Sequence, residues 1–424
     1  MHRILGITAC AVIVLFAVPL SADELRPVTH EDVWTMNRLG TPAISPDGQS
    51  AVVSVTEPSY EEDADVSDLW LVDVGGENEP RRLTATKAGE SGVAWRPDGG
   101  AIAFSAKRGD DEVSQVYVLD MTGPGEAVAI TSLSTGASGP LWSPDGSKIA
   151  FQSKVFPGAA DDEANKEEKK AREERKYNVS AYDIFPIRQW DNWRDDKQVH
   201  LFVQDAIAGA PATDLLAGSE LVGTRGFQGA PSLSGNDLKA AWAPDGKSLV
   251  FNATVNLDQA AHASVVYHLY RVSLEGDEPK KLTDSEDWSC TGPEFSADGK
   301  WLYCSVSPEN KRVYNHDVIG RFKWKKRGKL GEPELLTAGF DRSPGGFDLS
   351  DDGETIYFTA ADAGRSRVFS VPASGGEVSM LDSESRGVYA GIRAAGGHLV
   401  ARWESSATPA EVVRVNPEGG HDAL

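Results

Sequence analysis

The chain has 424 residues, of which 64 are acidic and 42 basic, giving a formal net charge of −22 and a sequence pI near 4.8. This acidic balance argues against nucleic acid and against anionic membrane surfaces as partners. The length suits one large all-β domain, which need not be divided into smaller units.

Residues 1–22 have the pattern of an export signal. His2 and Arg3 form a short basic start, an apolar run follows to Leu20, and Ser21 and Ala22 offer small residues for cleavage. The alternative is an uncleaved anchor, although the apolar run is only about the minimum length that spans a membrane. The sequence therefore predicts an exported protein, periplasmic or secreted, with no membrane attachment after cleavage.

A short helical segment is expected within residues 23–40, before the repeats begin. Thr29 can cap a helix over residues 29–38, with Asp32 three residues later. Its apolar contacts would come from Val33, Trp34 and Met36.

From residue 41 onward, one tetrapeptide recurs between short apolar runs. It ends in Asp-Gly, usually after Pro, and its copies finish at Gly48, Gly99, Gly146, Gly246, Gly299 and Gly353. Pro presets one turn residue, Asp bonds to nearby backbone, and Gly takes the positive φ that closes the turn. Between two strands, this pattern predicts a β-hairpin.

The spacing of these turns indicates the kind of repeat. Successive glycines are 51, 47, 100, 53 and 54 residues apart, so four intervals are near 50 and one is doubled. A period of about 40 to 50 residues of strand and turn is typical of propeller blades. A β-sandwich with coincidental turns is the alternative, and it predicts no fixed period.

Each period also carries a second phrase, in which an aromatic-rich strand and a polar turn lead to Leu-Thr. It is clearest at residues 68–84 and 268–283. Two phrases supply the four strands of a blade. The sequence therefore predicts an all-β fold, a seven-bladed β-propeller over residues 41–424 built from PDG-type (WD40-like or TolB-like) repeats. The seventh blade is degenerate, with its turn at residues 394–397, and the sequence predicts that its last phrase is interrupted at residues 422–424.

The doubled interval holds a predicted insertion in the third blade, at about residues 155–198. Residues 161–176 are almost purely charged, and Glu168 and Arg172 are spaced for an ion pair on a solvated helix. Large aromatic residues mixed with Arg and Asp follow. They predict either a surface that meets a ligand or partner, or a hydrophobic cover for the insertion itself. Arg188, Trp190, Asp191 and Trp193 lie in this aromatic and charged stretch.

No catalytic site is predicted within the chain. There is no G-x-S-x-G, and the histidines are scattered without an H-E-x-x-H pattern. His200 and His268 occupy equivalent strand positions, which indicates packing. Cys290 and Cys304 flank one predicted hairpin, so a disulfide is an open alternative to free thiols, and without a nearby histidine pair they do not predict a zinc site. No metal or cofactor is expected.

Several phrases together resemble the propeller of the prolyl oligopeptidase (S9) family, in its dipeptidyl-peptidase-5 and acylaminoacyl-peptidase-like branch. They are the export signal, the PDG-type blades, the charged helix leading into residues 188–193, and residues 200–203, 341–344, 363–366 and 408–412. The PDG repeats alone are weak evidence, because TolB-like propellers share them. The order of the phrases covers nearly the whole mature chain.

The resemblance implies an α/β-hydrolase domain that carries a Ser-Asp-His triad after the propeller. That domain is absent from this sequence, so the chain would be inactive alone and its partner missing or separately encoded. The implied role is to cap the catalytic cavity, to admit short peptides and to lend side chains to the substrate site. By position, the candidate substrate-binding residues that the resemblance implies are Arg188, Trp190, Asp191 and Trp193. The alternative is a self-standing TolB-like periplasmic propeller that acts as a protein-interaction scaffold.

Overall fold

The structure, a computed structural model, describes residues 26–59, 64–86, 89–177, 179–182, 186–232, 235–310, 312, 315–382 and 386–424. Seven antiparallel sheets follow one another along the chain, and each is built from consecutive strands. This is the predicted seven-bladed β-propeller. Among the described residues, no helix is long and apolar enough to cross a membrane.

Within each blade, the strands follow one another along the chain from the innermost to the outermost. They are Arg38–Leu39, Ala43–Ile44, Ser50–Ser59, Ala64–Asp73 and Arg81–Arg82 in blade 1; Glu90–Trp95, Ala101–Ala106, Gln115–Asp120 and Val128–Ala129 in blade 2; Ser138–Trp142, Lys148–Val155, Gln198–Asp205 and Thr213–Asp214 in blade 3; Ala240–Trp242, Ser248–Ala253, His268–Ser273 and Lys280–Lys281 in blade 4. They continue as Trp288–Phe295, Trp301–Pro308, Val318–Lys323 and Glu334–Leu335 in blade 5; Pro344–Leu349, Thr355–Asp362, Arg365–Pro372 and Ser379–Met380 in blade 6; Val388–Ala395, His398–Glu404, Glu411–Val415 and His421–Ala423 in blade 7.

Outside the blades lie short elements and two small hairpins. The helices are α1 (His30–Trp34), α2 (Asp162–Glu173), α3 (Glu220–Gly223) and a 3-10 turn at Leu257–Gln259. The hairpins pair Arg188–Gln189 with Asn192–Trp193, and Ala230–Ser232 with Gly235–Asp237. The second hairpin and α3 lie between blades 3 and 4. They account for the part of the doubled interval that the predicted insertion does not fill.

The repeated turns form as their chemistry predicts. In blade 1 the Asp47 carboxylate accepts hydrogen bonds from the Ser45 hydroxyl at 2.6 Å and from the Gln49 backbone N–H at 3.1 Å, and Gly48 has a φ of 72°. Blades 3, 5 and 6 repeat the Ser–Asp bond. Hydrogen bonding from Ser143 and Ser147 lowers the pKa of Asp145 to about 2, so this turn keeps its anion over the physiological pH range.

The Leu-Thr phrase ties the outer part of a blade to its third strand. The Thr84 hydroxyl oxygen accepts a hydrogen bond from the Leu69 backbone N–H at 2.8 Å, and Thr283 does the same for Leu269 at 2.9 Å. Thr131 and Thr337 repeat this bond in blades 2 and 5. The threonine therefore satisfies a backbone group beside a very short outer strand.

The aromatic residues before the turns link neighbouring blades. The indole N–H groups of Trp95, Trp142 and Trp242 donate to backbone carbonyls of the preceding blade, at 2.9, 3.1 and 3.0 Å. Their rings pack among the side chains that fill the spaces between sheets, where apolar clusters combine residues of adjacent blades. The hydrophobic core is thus distributed over the interfaces around the ring.

The N-terminal helix is shorter than predicted. The Thr29–Asp32 capping box is present, but α1 ends at Trp34, and Arg38–Leu39 already pairs with blade 1. Its apolar side chains do not pack into the protein, since Val33, Trp34 and Met36 are all exposed. Residues 1–25, with the predicted signal, lie outside the described residues.

Two further expectations are settled in blades 5 and 7. Cys290 and Cys304 form a disulfide between the first two strands of blade 5, with Cα atoms 5.9 Å apart and both residues fully buried. The turn of blade 7 lies at Gly396–Gly397, as predicted, but its sheet has all four strands because His421–Ala423 pairs with Glu411–Val415. The expectation of an interrupted last phrase is wrong, because three residues are enough for an outermost strand.

In the part of the chain that the structure describes, blades 1 and 7 share no strand, so contacts of their side chains and turns close the ring. Arg402 donates to the Leu39 carbonyl at 2.9 Å, and Arg414 donates to the Val74 carbonyl at 2.9 Å. Leu424 packs against apolar residues of both blades. At the turns the backbones meet: a Cβ on Gly48 would lie 2.5 Å from the Ala395 carbonyl oxygen. We call this blade 1–blade 7 interface the seam.

We expect Arg402→Met to lower the free energy of unfolding by about 2 kcal/mol, because a bond from a charged donor across the seam is lost. The matched control is Arg81→Met, which makes the same charge change at an exposed site in blade 1 and should stay within about 0.5 kcal/mol of the parent. Urea unfolding monitored by circular dichroism measures both. Equal stability of the two variants would show that this bond does not hold the seam.

Candidate functional site on the third-blade insertion

The order of strands gives the ring two different faces. Because neighbouring strands are antiparallel, connections between strands one and two and between strands three and four lie on one face, here called the turn face. Connections between strands two and three, and between blades, leave from the opposite face. The insertion joins Lys148–Val155 to Gln198–Asp205, whose last paired residues are Val155 and Gln198. We therefore call that side the insertion face.

Helix α2 begins the insertion and is docked by polar contacts. Asp161 caps it by accepting from the Ala164 backbone N–H at 2.9 Å. The Asp162 carboxylate accepts from the backbone N–H and hydroxyl of Ser134 at 2.8 and 2.7 Å. The buried Asn165 accepts from the Phe156 N–H at 2.8 Å. The helix is thus charged and solvated, as predicted, yet fixed to the propeller.

Arg172 connects the helix to the chain that returns to the blade. It donates to Glu168 at 2.6 Å, the predicted i,i+4 pair, and makes two bonds of 2.7 Å to the carboxylate of Asp196. Its guanidinium also lies 4.4 Å from the centre of the Phe156 ring. Hydrogen bonding to Asp196 raises the pKa of Arg172, and the same bond lowers the pKa of Asp196. This clamp holds the two ends of the insertion together.

All four candidate site residues lie on one small hairpin between these ends. Arg188 pairs with Trp193, and Trp190 and Asp191 form the turn. Trp190 has a φ of 53°, a left-handed conformation that is unusual for a residue other than Gly, Asn or Asp. The side chain of Trp190 is 91% exposed and that of Trp193 is 65% exposed. The rings therefore do not cover the insertion, and the hairpin presents them to solvent.

The surroundings of the hairpin are aromatic on one side and polar on the other. The Tyr182 ring lies 6.1 Å from that of Trp193. At the base, Arg194 donates to the Pro186 carbonyl at 3.4 Å, and burial lowers its pKa. Tyr267 of blade 4 interacts electrostatically with Arg194, and burial raises the pKa of Tyr267 to about 12. The base of the hairpin thus lies beside blade 4, and its tip is exposed to solvent.

Among the described residues, the candidate binding groups on the hairpin have no competing ion pairs. Within the described ranges, neither Arg188 nor Asp191 has an oppositely charged side chain within 4.0 Å. A charge without a partner on an ordered turn is available to a ligand. The arrangement can therefore offer a guanidinium, a carboxylate and apolar ring faces together.

The described residues contain no group of three or more His, Cys, Asp or Glu side chains placed to hold a metal ion. His200 and His268 are buried at matching strand positions, beside the stacked rings Phe151–Phe202 and Phe251–Tyr270. His200 bonds to Asp214 at 2.7 Å, and burial lowers the pKa of His268 to about 4. Both therefore belong to the interior of their blades.

A carboxyl pair that sequence reasoning missed joins the innermost strands of blades 5, 6 and 7. Glu294 is hydrogen-bonded to the carboxyl of Asp348, which accepts from the Ala394 backbone N–H at 2.9 Å. Burial, then the Asp348 charge, raises the pKa of Glu294 well above its usual range, and Arg393 opposes this. Burial raises the pKa of Asp348 as well, while the Ala394 N–H favours its anion. We therefore expect the pair to share a proton that resides on Glu294. Ala43, Ala94, Leu141 and Ala241 occupy the same place in blades 1 to 4, so aligning the repeats would have revealed it.

This pair should make the stability depend on pH. When folding raises the pKa of an acid, the protonated acid stabilises the folded state. This contribution is complete below the pKa that the acid has in the unfolded chain, about 4.3 for Glu. It is lost as the pH rises through the pKa of the acid in the folded state. Glu294→Gln keeps a hydrogen-bond donor to Asp348 and has no proton to lose. We therefore expect this variant to gain about 1 kcal/mol or more over the parent between pH 5 and pH 8, measured by urea unfolding at each pH.

The matched control is Glu354→Gln, which removes the same charge from an exposed turn of blade 6. Its stability should follow the parent at every pH within about 0.5 kcal/mol. Parallel profiles for the parent and Glu294→Gln would mean that the pair does not share a proton.

The chain is similar in sequence and in fold to parts of known peptidases. No family model matches the chain. In sequence it is 24% identical over 416 residues to Dipeptidyl-peptidase 5 of Porphyromonas gingivalis, covering 93% of this chain and 54% of that protein. In structure it is similar to the acylaminoacyl peptidase of Pyrococcus horikoshii, with a TM-score of 0.63, 16% identity, and coverage of 92% of this chain and 53% of that one.

A further structural match is a propeller alone. The β-propeller domain of the Trilobed protease from Pyrococcus furiosus has a TM-score of 0.58 and 14% identity, over 92% of this chain and 97% of that one. At these identities the structural matches show the fold alone. The chain spans about half the length of Dipeptidyl-peptidase 5 and of the acylaminoacyl peptidase. The sequence match and the shared fold together confirm the resemblance to the propeller portion of S9 peptidases.

Proposed function

Since the chain is homologous to the propeller portion of S9 peptidases, we propose that it is the substrate-gating and docking part of such an enzyme. The enzyme would release dipeptides or acylated residues from short peptides, and an α/β-hydrolase domain would carry its nucleophile. The observation that carries the proposal is the exposed Trp190–Trp193 hairpin on the insertion face. Large aromatic side chains so exposed mark surfaces that meet a partner or a ligand.

The position of the hairpin supports the same role. The segment before blade 1 reaches its innermost strand from the insertion face, and the last strand of blade 7 runs toward that face. The N-terminal segment adds further exposed apolar side chains there, including Val33 and Trp34. A catalytic domain connected to this chain would therefore meet the insertion face, with the hairpin between it and the ring.

The hairpin residues have distinct roles in this proposal. Arg188 binds a carboxylate or carbonyl of the peptide, because a guanidinium makes strong paired bonds to such oxygens. Asp191 can receive the free amino terminus of the peptide. Trp190 and Trp193, with Tyr182 beside them, form an apolar wall for its side chains. The left-handed conformation of Trp190 costs about 1 kcal/mol or more, a cost that fits a ring held in place for binding.

We also propose that the protein works outside the cytosol. The disulfide between Cys290 and Cys304 supports this, because structural disulfides persist mainly in oxidising compartments. The export pattern of residues 1–22 points the same way.

The first test asks whether the chain acts with a hydrolase. Reading the gene and its neighbours beyond codon 424 should reveal a G-x-S-x-G sequence followed by Asp and His. The propeller produced with that domain should hydrolyse dipeptidyl and N-acyl chromogenic substrates, whereas residues 26–424 alone should not. A hydrolase domain that is neither continuous with the chain nor bound to it would refute the proposal and favour the scaffold alternative.

The second test concerns the hairpin. In the active assembly, we expect Trp190→Gly to lower kcat/KM for short peptides about tenfold, the loss of roughly 1.4 kcal/mol of binding in the transition state. Glycine accepts the positive φ, so the turn should remain and the melting temperature should not fall.

The control for backbone effects is Ala363→Gly, since Ala363 also has a positive φ, 48°, in a turn of blade 6 on the insertion face. It should leave kcat/KM unchanged. If Trp190→Gly and Trp193→Ala both keep the parent kcat/KM, the hairpin does not contribute to substrate binding, and the first test still decides the role of the propeller.

A further inference from the structure

A second surface of the molecule lies away from the insertion. A cleft of about 680 Å³ opens at the outer edge of blades 4 and 5, between the connections that join the third and fourth strands of these blades. These connections lie on the turn face. We call it the basic cleft, and its lining residues are Arg271, Ser273, Asp277, Glu278, Lys280, Lys281, Leu282, Lys325, Lys326, Arg327, Gly328 and Lys329.

The charge of the cleft is opposite to that of the protein. Seven of its lining side chains are cationic and two are carboxylates, although the chain as a whole carries −22. One carboxylate, Glu278, is already engaged, because it accepts from the backbone N–H groups of Glu220 and Leu221 at 3.0 and 3.2 Å. Charges elsewhere on the surface are screened beyond about 8 Å at physiological ionic strength. A ligand at the cleft therefore meets a positive potential.

Four of these cations have no carboxylate partner. Across the described ranges, no acidic side chain lies within 4.0 Å of the side-chain nitrogens of Lys280, Lys325, Lys326 or Arg327. Three of them are consecutive in one loop. Like charges so close together repel each other, and an anion that binds between them removes that cost.

The loop that carries Lys325, Lys326 and Arg327 is held in place by its surroundings. Arg271 donates to the backbone carbonyl of Lys326 and to the Ser248 hydroxyl at 2.8 Å, and its guanidinium lies 5.8 Å from the Trp324 ring. Trp324 packs edge-on against Phe295, with centroids 4.8 Å apart. The floor beneath the loop is therefore built from partly buried aromatic rings and a hydrogen-bonded guanidinium.

The far end of the loop is anchored as well. Lys329 and Lys281 both pair with Asp284, Lys281 at 3.1 Å, and the Leu330 backbone N–H donates to the Leu282 carbonyl at 2.8 Å. These contacts fix both sides of the segment 325–328. Its cations are thus presented by an ordered frame, which lowers the entropy cost of binding.

We propose that the basic cleft binds a compact anion that carries more than one phosphate group. Lysine ammonium groups and an arginine guanidinium suit phosphate oxygens, and the cleft volume falls within the range of small-molecule sites. The phosphate groups come either from a soluble molecule or from the headgroups of a lipid surface. This inference is independent of the proposed peptidase role, because the cleft lies on the turn face and uses none of the hairpin residues.

The test uses inorganic tripolyphosphate as the probe with the chain from residue 26 onward, in low and in moderate salt. We expect saturable binding by calorimetry and affinity that falls as salt rises. Lys325→Gln combined with Arg327→Gln should weaken binding about tenfold or more. The matched control Arg81→Gln with Lys107→Gln removes the same charges from exposed positions elsewhere and should bind like the parent.

A second arm identifies the source of the phosphates. Co-sedimentation with phosphatidylcholine vesicles, with and without phosphatidylglycerol, measures binding to a lipid surface. Loss of vesicle binding in the cleft variant but not in the control indicates headgroups, whereas tripolyphosphate binding without vesicle binding indicates a soluble ligand. The proposal is overturned if the parent binds neither probe, or if the cleft variant, with an unchanged melting temperature, binds both as tightly as the parent.

Discussion

The whole architecture depends on packing between blades, because each blade completes its backbone hydrogen bonds within its own sheet. Seven such sheets stay together mainly through side chains, with few backbone bonds between blades, and this requirement is greatest at the seam. There the first and last blades meet through Arg402, Arg414 and the apolar contacts of Leu424. The other interfaces are connected along the chain, so an opening there keeps the neighbours tethered. At the seam, only non-covalent contacts oppose separation.

The interfaces use different chemistry around the ring. Between blades 1 and 4, the indole N–H of each tryptophan bonds to a carbonyl of the preceding blade. From blade 5 onward, no tryptophan occupies that position, and the Glu294–Asp348 pair reaches across the innermost strands instead. One part of the ring is therefore joined by neutral donors and the other by groups that titrate. We therefore expect the strength of the second set, but not that of the first, to depend on solution pH.

The regular features could be predicted from sequence because each has a local cause. The Asp-Gly turns, the alternating strands and the Leu-Thr phrase depend on neighbouring residues, and their spacing counts the blades. The insertion and its helix were also predictable, from charge and from the doubled interval. The outermost strand at His421–Ala423 was not, since three residues give too little periodicity.

Contacts between distant segments could not be predicted from the sequence. Three features depend on tertiary packing that no local pattern encodes. They are the approach of Asp348 to Glu294, the placement of Trp324 and Arg271 beneath the segment 325–328, and the turn conformation of Trp190. The candidate residues on the hairpin were found because aromatic and charged residues are unusual side by side. The structure gathers them on one exposed turn, and their role in binding stays a prediction.

The contiguous encoding of every blade has a consequence for how this protein can change. Among the described residues, no sheet borrows a strand from a distant part of the sequence, so the polypeptide can be cut between two blades without dividing a sheet. A whole blade can likewise be duplicated or lost as one genetic segment, altering the circumference of the ring while every remaining hydrogen-bond ladder stays intact. A propeller that shared a strand between its ends would lose its last sheet under the same rearrangement. The gene can thus rearrange whole blades as separate segments.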